Sequence, residues 1–425
     1  MATVRVRCTC GQEFLADTVD AGKGIRCRCG RFVSIPAGSA SPDPERTTAS
    51  PRHHHKGSGG PSPRHREGTK SPKRSRRVRF PTFSLRWPRL RPRLNLPWWV
   101  RPAVAWSSWL YLAGVIASAL LLWLLGDRWW PATVLTYGPR WLLLLPAIPL
   151  AVAALLVRPR LFAVTLAATI LTLGPVMGYR LGWRTWFHHR ARPPVRLVTF
   201  NLKGADNPMI PAVPGELARL DPDLMLFQEC PSELVAAARR SPLLEGWTVR
   251  QDGTLCLASR WPVDSVRVME EVRTRDQGGT GAVVYYSIQH PAGAFGLANV
   301  HLETPGKGLE PLRYGGETSR LVRNVMLRDV GSRRAGRWII GQHFEPLIAG
   351  DFNLTVESAI YRSYWDGCPN AFSRAGRGFG WTRILKRFAA RIDHVITCGT
   401  WTASWAEVGP DLGSDHRPLV VDLTR

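Results

Sequence analysis

Asp351 and Asn353 stand two residues apart at the end of an apolar run, in the stretch PLIAGDFNL at residues 346–354. On an extended strand, residues i and i+2 share a face. A buried strand here would therefore present a carboxylate and an amide side by side at its C-terminal end, a pair suited to a phosphate and a hard metal ion. Alone, Gly-Asp-Phe-Asn also fits a strand followed by a plain Asx turn. Repetition strengthens the chemical reading. VRLVTFNLKG ends in Asn201 and PDLMLFQE in Glu229. FGLANVHLET carries Asn299, His301 and Glu303, RIDHVITCG carries Asp393 and His394, and GSDHRPLVVDL carries Asp415 and His416. Ordinary surface polarity accounts for one such strand end, and poorly for six in series.

The elements that must position these residues are short apolar strands separated by turns and helices, running from Val195 to the C-terminus. The ordered motifs TFNLKG, FQE, VHLE, GDFN, RIDH and SDHRP resemble those of the endonuclease/exonuclease/phosphatase superfamily, over residues 195–425. The resemblance implies a four-layer α/β sandwich, two mixed β-sheets flanked by helices, with substrate bound where the strand ends converge. It implies Glu229 as the main Mg²⁺ (or Mn²⁺) ligand, Asp415 as a second carboxylate near the ion, and Asn201 as orienting Glu229 or touching the metal shell. Asp351 would align or activate the attacking water, and Asn353 would hold a phosphate oxygen. His416 would donate to the phosphoryl group, oriented by Asp393, and His301 would be a further phosphate donor. His394 occupies a position where the family often has an aromatic residue, which implies packing or substrate contact.

Two departures bear on substrate. Abasic-site endonucleases have an acidic residue two after the first-strand asparagine, where this chain has Lys203, and a tyrosine where it has His301. Both turn the reading toward the phosphatase and phospholipase branches. Two glycine-bearing stretches could rim the site: TPGKGLEPLRYGGETSRLV, with Lys307 and Arg313 available to an anion, and AGRGFGWTR.

The net charge of +25 resembles a nucleic-acid signal until it is located. Residues 195–425 hold 27 Lys+Arg against 25 Asp+Glu, so the excess belongs to the part before them, with 30 basic and 7 acidic residues. Residues 1–37 contain two Cys-x-Cys-Gly pairs, Cys8/Cys10 and Cys27/Cys29, and resemble a zinc ribbon in which four thiolates hold a structural Zn²⁺. Each knuckle is one residue shorter than the usual Cys-x-x-Cys, and a free-thiol hairpin is the alternative. Residues 38–100 form a basic Pro/Ser/Arg-rich linker with too little apolar surface to fold, including the run His53, His54 and His55. Its place before an apolar segment suggests contact with anionic lipid. Four further cysteines, Cys230, Cys256, Cys368 and Cys398, are scattered, and the sequence assigns them no pairing.

Three apolar segments, 103–125, 141–157 and 161–179, fall within residues 101–182 and read as three transmembrane helices. None has a polar face. Arg86, Arg89, Arg91, Arg93 and Arg101 precede the first, and Arg158 and Arg160 separate the second from the third. The positive-inside rule then places the N-terminus in the cytoplasm and, after three crossings, the C-terminal domain outside. A re-entrant second segment would reverse that side. The three-span anchor with a trailing domain resembles a membrane branch that includes glycopeptide-resistance proteins. The expected protein is a multi-pass membrane phosphoesterase acting on a membrane-derived or lipid-linked phosphate ester or pyrophosphate. The alternatives are a membrane-tethered nuclease, disfavoured by the near-neutral domain because duplex binding needs phosphate neutralisation, and a membrane adaptor using the zinc ribbon as its binding module.

Overall fold

The computed structural model of the chain describes residues 3–7, 13–17, 24–26, 32–34, 96–182, 195–269, 281–343, 346–385 and 388–425. They divide into two units, Met1–Pro92 and Arg93–Arg425. In the first, β1 (Thr3–Arg7) pairs antiparallel with β2 (Glu13–Asp17), and β3 (Gly24–Arg26) with β4 (Phe32–Ser34). Cys8, Cys10, Cys27 and Cys29 lie outside the described residues, as does almost all of the basic linker.

The second unit begins with apolar helices. α1 (Val100–Leu124) has no Asp or Glu in its first turn and leaves Trp106, Trp109, Leu110 and Trp123 exposed. α2 (Trp130–Tyr137) follows a tight turn at Gly126–Arg128. A 3₁₀ turn, Arg140–Leu144, then runs into α3 (Ala147–Val157). α4 (Arg160–Leu171) ends in a π turn at Thr172–Val176, where Pro175 cannot continue regular hydrogen bonding. Helices Val100–Leu124 and Arg140–Val157 are long and apolar enough to cross a membrane, and Arg160–Val176 is a shorter apolar helix. Tyr111, Val115, Leu122, Ala147, Ala168 and Val176 pack them together.

From Val195 on, near-continuous apolar runs form strands buried on both faces, the pattern expected of sheets covered on each side. One sheet has the order β16-β17-β5-β6-β8-β7, formed by Thr402–Val408, Leu419–Thr424, Val195–Asn201, Leu224–Gln228, Leu255–Ser259 and Thr248–Asp252. The other has the order β15-β12-β11-β10-β9, formed by Asp393–Thr397, Pro346–Asp351, Phe295–Leu302, Gly281–Ile288 and Val263–Val268. β5 is parallel to β6 and β11 to β12, the remaining pairs being antiparallel, so both sheets are mixed.

Period-two alternation divides each strand between two cores. Leu197, Leu226 and Leu257 meet Leu297, Leu347 and Val395 between the sheets. On the outer face of the first sheet, Phe200, Met225 and Phe227 meet Val213, Leu217 and Leu234 from helices. On the outer face of the second, Tyr285, Val300 and Ile348 meet Ala335 and Ile339 of helix Thr318–Ile340. The result is the layered α/β/β/α sandwich. Gly350 shows how closely its strands approach: at φ +142 a Cβ there would lie 1.9 Å from the Val300 carbonyl oxygen, so the glycine before Asp351 is a requirement of the β11–β12 pairing. Disulfides join Cys230 to Cys256 and Cys368 to Cys398.

Candidate active site

Register gathers the polar strand ends. His301 of β11 pairs with Asp351 of β12, which pairs with Asp393 of β15, so three adjacent strands present these residues at one level. In the facing sheet Asn201 ends β5 opposite Gln228, and Glu229 follows at once with φ 50. That left-handed conformation is uncommon for a residue with a side chain, and it turns the carboxylate out of the strand. Asn353, two residues past β12, has φ 52.

The two sheets meet through Asn201, whose Nδ2 donates to Asp351 Oδ2 at 2.9 Å and to Glu229 Oε1 at 3.2 Å. Its Oδ1 accepts from the Lys203 amide at 3.0 Å. Asp351 is 1% exposed. It also accepts from the Asn353 amide at 2.8 Å and from Asn353 Nδ2 at 3.1 Å. His301 Nε2 lies 3.6 Å from Glu229 Oε1 and 3.9 Å from Asp351 Oδ2. His416 Nδ1 is 2.9 Å from Asp393 Oδ2, and its Nε2 is 3.8 Å from Asp351 Oδ2. Six of the expected residues besides Glu229 thus converge with it: Asn201, His301, Asp351, Asn353, Asp393 and His416. Asp415 stands apart at the rim, its Oδ2 3.2 Å from Arg383 Nη2.

Burial and charge set the protonation states. Burial raises the Asp351 carboxyl, and Asp393 raises it further, against the opposing pull of His416, His301 and Asn201. For His416 burial opposes the charge, yet Asp393 and Asp351 together outweigh it and lift the imidazole to about 9. The ring is then an imidazolium whose Nδ1–H is committed to Asp393, leaving Nε2–H facing Asp351. Ser414 fixes this loop, donating to the Asn201 carbonyl at 2.9 Å and accepting from the His416 amide at 3.1 Å. Thr382 Oγ1 accepts from the Asp393 amide at 3.1 Å.

The donor set fits a hard divalent cation. Oxygen ligands dominate, the Glu229 side chain is 42% exposed, and the buried Asn353 Oδ1 and Asp393 Oδ1 lack hydrogen-bond partners. Asp351, Asp393 and His416 also offer ligand atoms within 4.8 Å of one another. Without a cation the same trio forms a hydrogen-bonded chain, in which His416 Nδ1 lies 2.9 Å from Asp393 Oδ2 and Nε2 3.8 Å from Asp351 Oδ2.

Other polar residues on the same strands serve the fold. Asn299 is fully buried between the sheets, accepting from Gln228 Nε2 at 2.7 Å and donating to the Phe227 and Cys256 carbonyls. His394 packs against Phe352 and Tyr361. Its Nδ1 accepts from Asn370 and its Nε2 donates to the Leu354 carbonyl at 2.7 Å, while burial and Arg391 push it down to about 4. Lys307 pairs with Glu303 at 3.1 Å, and the Arg313 side chain lies outside the described residues.

Sequence reasoning did not find Arg328 and Asp127. Arg328, 1% exposed in helix Thr318–Ile340, donates through Nη2 to Asp127 Oδ2 at 3.1 Å, to the Tyr137 hydroxyl, and to the Asn353 carbonyl at 3.4 Å. Tyr137 OH also reaches that carbonyl at 3.4 Å. Asp127 and Tyr137 come from the segment just after α1, so the apolar helical unit holds the backbone of a residue in the site.

No curated protein matches the chain. Its fold is similar to that of humanised D. rerio TDP2, at 15% identity and TM-score 0.44 over 54% of this chain and 99% of TDP2. It is similar to the Bacteroides thetaiotaomicron mannosyl-6-phosphatase Bt3783, at 15% and 0.36 over 54% and 100%, and to the Neisseria 3′ phosphatase NExo, at 16% and 0.39 over 54% and 100%. Residues 198–416 match the model of the Endonuclease/Exonuclease/phosphatase family. The chain therefore belongs to the endonuclease/exonuclease/phosphatase family and is a metal-dependent phosphoric ester hydrolase.

Proposed function

We propose that the chain is a membrane-anchored phosphoesterase that hydrolyses a phosphate ester or pyrophosphate of a lipid-linked or membrane-derived substrate. The observation that carries this reading is the Asp127–Arg328–Asn353 connection, which fastens the site to the apolar helices and would hold it at a bilayer surface where such substrates are concentrated.

Each residue has a role in an in-line displacement at phosphorus. Asp351, its carboxyl raised by burial and by Asp393, aligns the attacking water and takes its proton. His416, held as an imidazolium by Asp393, donates to a phosphoryl oxygen as charge builds there. His301 and Asn353 supply further donors to the phosphate. Glu229, oriented by Asn201, would be the principal ligand for Mg²⁺ (or Mn²⁺), and Asp415 would serve as a second carboxylate only on leaving its ion pair with Arg383. Bound there, the cation would neutralise charge on the phosphoryl oxygens and polarise the phosphorus.

We place the domain outside the cytoplasm. The turn carrying Asp127 and the catalytic domain are packed together and so share one side of the bilayer. Helices Arg140–Val157 and Arg160–Val176 then both cross or neither does, which removes the parity problem of a lone re-entrant segment. With the arginine-rich N-terminal flank in the cytoplasm, α1 carries both parts across. The two disulfides suit an oxidising compartment. Cys8, Cys10, Cys27 and Cys29 would hold a structural Zn²⁺ on the cytoplasmic side.

The test is phosphate release from polyprenyl pyrophosphate and from phospholipid vesicles by the full chain, with and without EDTA, beside a plasmid-digestion arm. Metal-dependent release from a lipid substrate is expected. Cleavage of plasmid with neither lipid turned over would replace this reading by the nuclease one.

A further inference from the structure

Between the apolar helical unit and the hairpin formed by β13 (Arg383–Leu385) and β14 (Phe388–Ala390) lies a cavity of about 390 Å³. Trp141 and Met177 of the apolar unit form one wall. Phe379, Trp381, Ile384 and Phe388 form the other, with Phe379 and Trp381 stacked at 4.4 Å and 11°. Apolar walls with a few convergent polar groups, at this size, are the usual make-up of a small-molecule site.

Its charged lining residues are Arg140, Glu357 and Arg391. Arg140 pairs with Glu357 at 3.3 Å. Arg391 is 5% exposed, stacks on Phe372 at 5.0 Å and donates through Nη2 to Ser373 Oγ at 3.2 Å. Its Nη1 has no hydrogen-bond partner. Two guanidinium groups and one carboxylate leave an excess positive charge in a mostly apolar space. A buried donor without an acceptor is costly, and a bound molecule carrying an oxygen would satisfy it.

The hairpin wall is also the wall of the catalytic site. The Ile384 amide donates to the Asp415 carbonyl at 2.9 Å, Arg383 forms a backbone bridge with His416, and the Thr382 hydroxyl holds the Asp393 amide. Ile384 faces the cavity while its own backbone is bonded to the SDH loop. A structural bilayer lipid would have no reason to be joined to the site in this way.

We propose that the cavity takes the apolar chain of an amphiphilic phosphoester substrate, with an oxygen near the head of that chain accepting from Arg391 Nη1 and the scissile phosphate across the hairpin at Asp351 and His416. The assignment rests on the lipid-linked reading above and names how that substrate is gripped.

Two measurements on the full chain in detergent micelles test it. A long-chain alkyl phosphate carrying a diazirine in its chain, photolysed in the presence of EDTA, should label the segment 379–388. Ile384→Glu, at a position 44% exposed and so tolerant of the change, and Arg391→Met should each cut that labelling by about tenfold. With metal present, Ile384→Glu should raise KM for a long-chain phosphoester about tenfold more than it raises KM for a short water-soluble ester. Labelling confined to the outer faces of the apolar helices, or equal losses on long and short substrates, would overturn the assignment. Because labelling needs no turnover, a wild-type protein that labels at 379–388 yet hydrolyses nothing upholds the amphiphile site and contradicts the hydrolytic reading instead.

Discussion

Asp127 and Arg328, 201 positions apart in sequence, form an ion pair at 3.1 Å with side chains 0% and 1% exposed. Asp127 also accepts from Ser358 Oγ at 2.7 Å and from the Ala359 and Ile360 amides at 2.9 and 3.3 Å. It thereby satisfies free N–H groups at the start of helix Ala359–Tyr364. One carboxylate from the turn after α1 therefore organises two elements of the catalytic domain, and Arg328 passes that organisation to the Asn353 carbonyl.

Removing one partner of such a pair leaves an uncompensated buried charge. Asp127→Ala is expected to destabilise the second unit by about 3–5 kcal/mol, and Asp127→Ala with Arg328→Met by less than the sum of the two single changes. Thermal unfolding of the four proteins in detergent measures the coupling. Additive losses would show that the two groups do not depend on each other.

The Asp393–His416 contact should be visible by NMR titration. Asp393→Asn removes the main partner that holds the proton, so the His416 pKa should fall from about 9 toward its ordinary 6.5. Loss of a positioned proton donor should lower kcat by about 10²–10⁴-fold. An unmoved His416 titration would remove the stated cause of its charge.

Stability should respond to pH on two sides. The folded-state pKa of His416 is raised, so its stabilisation is fully present below 6.5 and is lost as pH rises through about 9. That of His394 is depressed, so folding is favoured above 6.5 and stability declines as pH falls toward about 4. Unfolding midpoints of the metal-free protein should pass through a maximum between these limits. His394→Phe, which keeps the ring contacts with Phe352 and Tyr361 but removes the titrating group, should flatten the acid limb and not the alkaline one.

Glu229 and the disulfides separate metal binding from folding. Glu229→Gln should abolish measurable Mg²⁺ binding by calorimetry while leaving the unfolding midpoint nearly unchanged, because the side chain is 42% exposed. Cys368→Ser with Cys398→Ser should instead lower stability by about 2–4 kcal/mol, with Mg²⁺ binding retained. A reversed pattern would exchange the roles given to these residues.

Much of the site was legible in the sequence because strand ends carry a short-range signal. Asp351 and Asn353 after an apolar run, and Asp415 and His416 before one, are local patterns. For His394 the sequence left packing and substrate contact both open, and the ring packs against Phe352 and Tyr361. Other parts depend on spacing that no local pattern encodes. Asn299 shares a strand face with His301 but lies two residues deeper between the sheets, where Gln228 meets it. Arg328 lies among six arginines in helix Thr318–Ile340, and nothing nearby in sequence distinguishes the one that finds Asp127. Asp415 is drawn to Arg383 because the β13–β14 hairpin pairs with the SDH loop. The cysteine pairings likewise needed the sheets to be assembled first.

The most direct test is phosphate release by the purified full chain from a panel of lipid-linked and soluble phosphoesters, comparing wild type with Asp351→Asn and adding EDTA. Metal-dependent release by the wild type, falling about 10³-fold or more in Asp351→Asn, is the expected result. Release that survives both EDTA and the loss of the Asp351 carboxylate would contradict the placement of hydrolysis at this convergence of strand ends.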